Sequence, residues 1–137
     1  MASKISCLSF DGDTKTAHVQ SVYDGDSCTV EFALHGVQYA WKCRLAGIDT
    51  PELRTKNLYE KKIARQARDE LRRKILGKDI TIRCGKFDKY GRLLITPYLE
   101  GEDICIWLIT ENHARKYDGG RRGSWPDPSA SQYGPAV

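Results

Sequence analysis

The chain has 137 residues, of which 40% are hydrophobic and 29% charged, and its 22 Lys plus Arg against 18 Asp plus Glu leave a formal charge of +4. That length and mix fit one globular domain with its own core and exclude a collagen-like, coiled-coil or wholly disordered chain. No apolar run approaches the roughly 20 residues of a membrane span. The opening stretch has no apolar segment of signal-peptide length, so the chain is expected to act inside a cell.

Strand-like material fills the first third. Thr16 to Val22 alternates weakly, and Tyr23-Asp24-Gly25-Asp26 then makes a turn. Cys28 to Leu34 reads as a strand. His35-Gly36 reads as a hairpin turn into Val37–Leu45, whose apolar residues fall on alternate positions. Asp49-Thr50-Pro51-Glu52 ends that run, because proline cannot donate to a central ladder.

The period then changes. Leu58, Ile63, Ala64, Ala67, Leu71 and Ile75 recur at helical spacing, while Lys61, Lys62, Arg65, Arg68, Arg72 and Arg73 fall mostly outside that face. Gly77 is the stop signal. Asp79 to Cys84 and Arg92 to Leu99 read as a hairpin joined through Lys86–Gly91. Asp103 to Glu111 fits either a strand or a short helix capped by Asp103 and ended by Asn112. From Tyr117 onward the chain reads as loop and tail. Five or six strands with one inserted helix and a second short helix predict a mainly β (α+β) fold, a small five-stranded β-barrel of the OB type.

Charge is distributed unevenly along this plan. Residues 1–52 carry 4 basic and 7 acidic residues, residues 53–92 carry 14 and 5, and residues 93–137 carry 4 and 6. A basic middle beside a carboxylate-rich N-terminal part points to an anionic partner. The five cysteines are well separated, with no C-x-x-C pair, which argues for reduced thiols over a disulfide scaffold. Zinc finds little support among three scattered histidines.

Phosphate-loop, dinucleotide-binding, nucleophile-elbow and H-E-x-x-H motifs are all missing, and neither D-x-D fragment opens an EF-hand. What remains is a set of carboxylates and arginines at strand ends. Asp24-Gly25-Asp26 and Asp49-Thr50-Pro51-Glu52 each read alone as a structural turn. Together, with Arg44 on the same run as Asp49 and Arg92 beside a hairpin turn, they hold the equipment for metal-assisted phosphodiester hydrolysis. Carboxylates and a carbonyl suit Ca²⁺ or Mg²⁺. Two arginines suit a phosphate gaining charge, and a spare carboxylate can hold or deprotonate water.

The ordered series Val22-Tyr-Asp24-Gly25-Asp26-Ser27, Arg44-Leu-Ala-Gly-Ile-Asp49-Thr50-Pro51-Glu52 and Asp88-Lys89-Tyr90-Gly91-Arg92 resembles the staphylococcal nuclease (thermonuclease) family. The likeness runs from about Val19 to Gly120, and the ending Ala114–Gly120 resembles virus- and phage-type members. It implies an OB barrel and a Ca²⁺-dependent endonuclease acting on DNA and RNA, with water attack expelling the 5′-oxygen to leave 3′-phosphate ends. Asp26, Asp49 and the carbonyl of Thr50 would hold calcium, with Mg²⁺ the lesser candidate. Glu52 would position or deprotonate the water, and Arg44 and Arg92 would hold the scissile phosphate. Lys89, Tyr90 and Tyr117 would contact the nucleotide. Of the two Asp-Gly-Asp fragments, only the second leads directly through one hairpin to Arg44, so Asp26 is the ligand and Asp11 and Asp13 form an exposed turn.

The implied organisation is an N-terminal extension over 1–15, the nuclease-like domain over 16–123 and a tail over 124–137, acting as a monomer without a membrane partner. The competing reading is a catalytically inactive nucleic-acid-binding barrel.

Overall fold

The computed structural model describes residues 5–120 and 123–128. Most of the expected tail, and the first four residues of the expected extension, therefore lie outside the described residues.

The first strand, β1 (Thr14–Asp24), buries Ala17, Val19 and Val22. Its weak alternation has a physical cause: the register against the next strand shifts between Val19 and Ser21 and again between Val22 and Asp24. A bulge inserts one residue and carries the inward set from 19 to 22. The hairpin of β2 (Ser27–Leu34) and β3 (Val37–Leu45) pairs without a slip from Ser27↔Arg44 to Leu34↔Val37. Its inward positions, Cys28, Val30, Phe32, Cys43 and Leu45, alternate as a half-buried sheet requires. A two-residue strand, β4 (Ile48–Asp49), follows.

Helix α1 (Leu58–Ile75) is capped by Asn57, whose side chain accepts from the Glu60 amide, and it buries Ala64, Ala67, Leu71 and Ile75. Leu58, expected on that face, is 81% exposed, because it sits in the first turn, ahead of the point where the helix meets the barrel. β5 (Asp79–Phe87) runs past the expected end at Cys84 and pairs with β6 (Leu93–Leu99). After β7 (Glu102–Asp103), the ambiguous segment is helical. In α2 (Ile104–Thr110) Asp103 caps the amide of Ile106, while Ile104, Cys105 and Leu108 are buried and Ile106 faces out. The last strand, β8 (Arg115–Lys116), pairs with β4.

The main sheet runs β3-β2-β1-β5-β6-β7, and β3 also pairs in parallel with β6. That extra pairing closes five strands into a barrel, so the expected OB-type α+β architecture is the one observed. Leu45, Ile82, Leu93 and Ile95 fill its interior, with Leu71 and Ile75 of α1 and Ile104 and Leu108 of α2 completing the core. Phe10, ahead of β1, belongs to that core as well, standing edge-on to Phe32 and Trp41 at 5.4 and 5.2 Å. Burial pushes the Cys28 and Cys105 thiols up to about 12, with Asp24 and Asp103 adding to the effect, so both remain neutral core residues.

Candidate active site

The Asp24–Asp26 turn lies against the helix and the β4 segment. Gly25 has no positive φ; its constraint is space. A Cβ there would fall 3.0 Å from Cβ of Ala67 and 3.1 Å from Cγ2 of Thr50. The glycine therefore lets the turn close on Thr50 and α1, and it sets Asp26 down in a buried position, 5% exposed. Gly12 in the twin motif is the opposite case. Its φ is +89° with nothing within 4 Å of a Cβ, and Asp11 and Asp13 beside it are exposed.

Asp26 is met by Arg44 from the paired strand. Nη2 of Arg44 donates to Oδ2 of Asp26 at 3.3 Å and to the carbonyl of Ile48 at 3.2 Å, and Nη1 donates to the carbonyl of Leu45 at 3.2 Å. One guanidinium thus ties the first carboxylate to the chain just before the second. That second carboxylate, Asp49, is 1% exposed and stands opposite Arg115 across the β4–β8 pair. Nε and Nη2 of Arg115 both donate to Oδ2 of Asp49, at 3.2 and 3.0 Å. Arg115 also donates to the carbonyls of Gly123 and Ser124 and stacks 4.0 Å from the Trp125 ring centre.

Arg92 enters through barrel closure. The parallel register Cys43↔Leu93 and Arg44↔Leu94 places the residue before β6 beside the outer face of β3. Its loop is built on Asp88, which accepts from the Tyr90 and Arg92 amides at 2.9 Å and from Nε of Arg92 at 2.9 Å. Burial alone raises the Asp88 carboxyl, but those two amides and the Arg92 guanidinium outweigh it and hold the group below the usual carboxylate range. Asp88 therefore stays charged and keeps Arg92 oriented through neutral and mildly acidic conditions.

A cleft of about 550 Å³ brings Arg44 and Arg92 together with Lys89, Tyr90 and Tyr117, and Gly47, Asp88, Leu94, Asp118 and Gly119 complete its lining. Five of the nine residues expected at the site share this one cleft. Tyr117 is held by its amide on the Gly47 carbonyl at 2.9 Å and by its hydroxyl on the Gly120 carbonyl at 2.7 Å. The Arg44 guanidinium lies 5.6 Å from the Tyr117 ring centre. Asp49 lines a neighbouring hollow that shares Gly47, Tyr117 and Asp118 with the cleft. Thr50 is buried against Gly25. Glu52 lies outside the cleft lining, in the segment leading to α1, where its amide donates to the Glu60 carboxylate at 2.8 Å.

Asp26, Asp49 and the Thr50 carbonyl are hard oxygen donors, the chemistry that Ca²⁺ and Mg²⁺ take. Among the described residues no three His, Cys, Asp or Glu side chains gather as a metal cluster.

Two residues escaped the sequence reading. Asp88 carried a signal, since an Asp four residues before an Arg across a Gly turn can accept the turn amides. Arg115 carried none, because only the β4–β8 register sets it opposite Asp49.

No curated protein matches the chain. A family model described as staphylococcal nuclease homologue matches residues 42–130, more than half of the chain and the span that holds Arg44, Asp49, Glu52 and Arg92. The chain belongs to the staphylococcal nuclease family.

Proposed function

We propose that this protein is a calcium-dependent endonuclease that hydrolyses phosphodiester bonds of DNA and RNA. The observation that carries the reading is the cleft itself. Arg44 of β3 and Arg92 just before β6, brought near by the pairing that closes the barrel, line it with Lys89 and two tyrosines, and Arg44 is tied to buried Asp26.

Asp26, Asp49 and the Thr50 carbonyl would hold the cation, which when bound supplies Lewis-acid charge beside the phosphate. Arg44 and Arg92 hold the scissile phosphate through their N–H groups and stabilise the negative charge that builds on it. Glu52, outside the cleft lining, would have its carboxylate turned to the phosphate to orient a water and take its proton as the new O–P bond forms. The P–O5′ bond breaks in line and the departing 5′-oxygen takes a proton from solvent, giving a 5′-hydroxyl and a 3′-phosphate. Lys89 holds an adjoining phosphate, and Tyr90 and Tyr117 present ring faces to the nucleotide.

Digestion of single-stranded DNA with Ca²⁺, with Mg²⁺ and with chelator, reading fragment ends, tests this. Calcium-dependent cleavage leaving 3′-phosphates is expected, and Glu52→Gln loses most turnover while binding survives. Cleavage with Mg²⁺ alone revises the metal. Binding without cleavage under every condition moves the protein to the inactive barrel.

A further inference from the structure

The row of outward side chains beside Arg92 does not stop at the cleft. Ser21 of β1 faces Thr29 of β2, and Thr29 faces Lys42 of β3. The parallel β3–β6 register then brings Arg92 next to Lys42. These residues, with Tyr23, line a separate hollow of about 300 Å³, and Arg92 lines both this hollow and the cleft.

We propose that this hollow is a second nucleotide subsite, in which Lys42 holds a phosphate and Tyr23 stacks a base of the same single strand. The inference rests on the reading of the cleft as a nucleic-acid site. Lys42 and Arg44 lie two residues apart on β3 and so share its outer face, about 7 Å apart along the strand. The cationic track thus continues past the scissile position. Tyr23 is 55% exposed, and the side chain of neither Tyr23 nor Lys42 makes a hydrogen bond, ion pair or ring contact among the described residues. An exposed ring beside a solvated cation, joined to a phosphate-holding arginine, is the pairing that sequence-tolerant single-strand binders use. The nearest carboxylate in sequence, Asp24, is engaged in its own turn, accepting from the Asp26 amide at 3.1 Å and the Ser27 hydroxyl at 2.6 Å.

The test is anisotropy titration of a labelled dinucleotide and a labelled octathymidylate in calcium buffer, on the Glu52→Gln background so that substrate persists. Tyr23→Ala should weaken octanucleotide binding by roughly five- to a hundredfold. Lys42→Ala should weaken it too and reduce the slope of log affinity against log salt by about 0.7. The dinucleotide, which the cleft accommodates alone, should bind both variants as it binds the parent. Both substitutions are at exposed positions, and a circular dichroism spectrum matching the parent's verifies the fold. Octanucleotide affinity unchanged in both variants overturns the subsite while leaving the cleft. A parent that binds neither oligonucleotide overturns the nuclease reading and this inference with it.

Discussion

At the scale of single residues, the site depends on how arginines are held as much as on which carboxylates are present. Arg44 and Arg92 each combine a fixed edge with a place in the cleft: Arg44 is tied to Asp26 and two carbonyls, and Arg92 to Asp88. On the proposed function, such anchoring limits the freedom each guanidinium would lose on holding a phosphate. Arg115 has a different duty. It meets Asp49, which is almost wholly buried, with two hydrogen bonds to one oxygen, and it binds the chain at Gly123 and Ser124. Hydrogen bonds to charged groups contribute about 1.5–3 kcal/mol. Arg115→Ala is therefore expected to lower stability by about 2–3 kcal/mol in urea unfolding. Arg115→Lys should recover only part, since an ammonium lacks the planar fork. Equal stability of Arg115→Ala and the parent would show that Asp49 is held by other contacts.

At the scale of elements, two copies of Asp-Gly-Asp have the same letters and different physics. The first sits where only backbone freedom matters; the second sits where a methyl group would collide with Ala67 and Thr50. Gly25→Ala should accordingly cost about 1–3 kcal/mol through overpacking. It should also cut turnover, because the turn it displaces carries Asp26. Gly12→Ala should cost about 1 kcal/mol through its φ alone and leave turnover near the parent's. Matching losses of turnover in the two variants would contradict this. Elements with a clear period were readable from sequence: the β2–β3 hairpin, the body of α1 and the β5–β6 hairpin stand where alternation and helical spacing place them. Local features that break the period were not. The bulges in β1 blur its alternation, and the two-residue strands β4 and β8 are too short to show one. The α2 segment could be decided only by packing, where Ile106 stays outside and Leu108 goes in.

At the scale of the whole molecule, closure of the barrel assembles the site. The β3–β6 pairing joins Arg44 to Arg92, and the β4–β8 pairing joins Asp49 to Arg115. Both pairings are long-range, so spacing along the chain announces the residue types but not their meeting. The candidate chemistry was therefore readable as an ordered set of carboxylates and arginines, whereas the cleft, Arg115 and the groove beyond Arg92 follow from the register. The two Asp-Gly-Asp turns differ by local packing instead, the β2–β3 hairpin burying Asp26 beside Arg44 while Asp13 is exposed. On the proposed function, the site built around Asp26 and Arg44 performs calcium-dependent hydrolysis. Its most direct test is the initial rate of calcium-dependent DNA cleavage by Asp26→Asn and Asp13→Asn, each verified as folded. The account predicts a loss of at least roughly a hundredfold for Asp26→Asn and a rate near the parent's for Asp13→Asn. Full activity in Asp26→Asn, or its loss in Asp13→Asn, would contradict it.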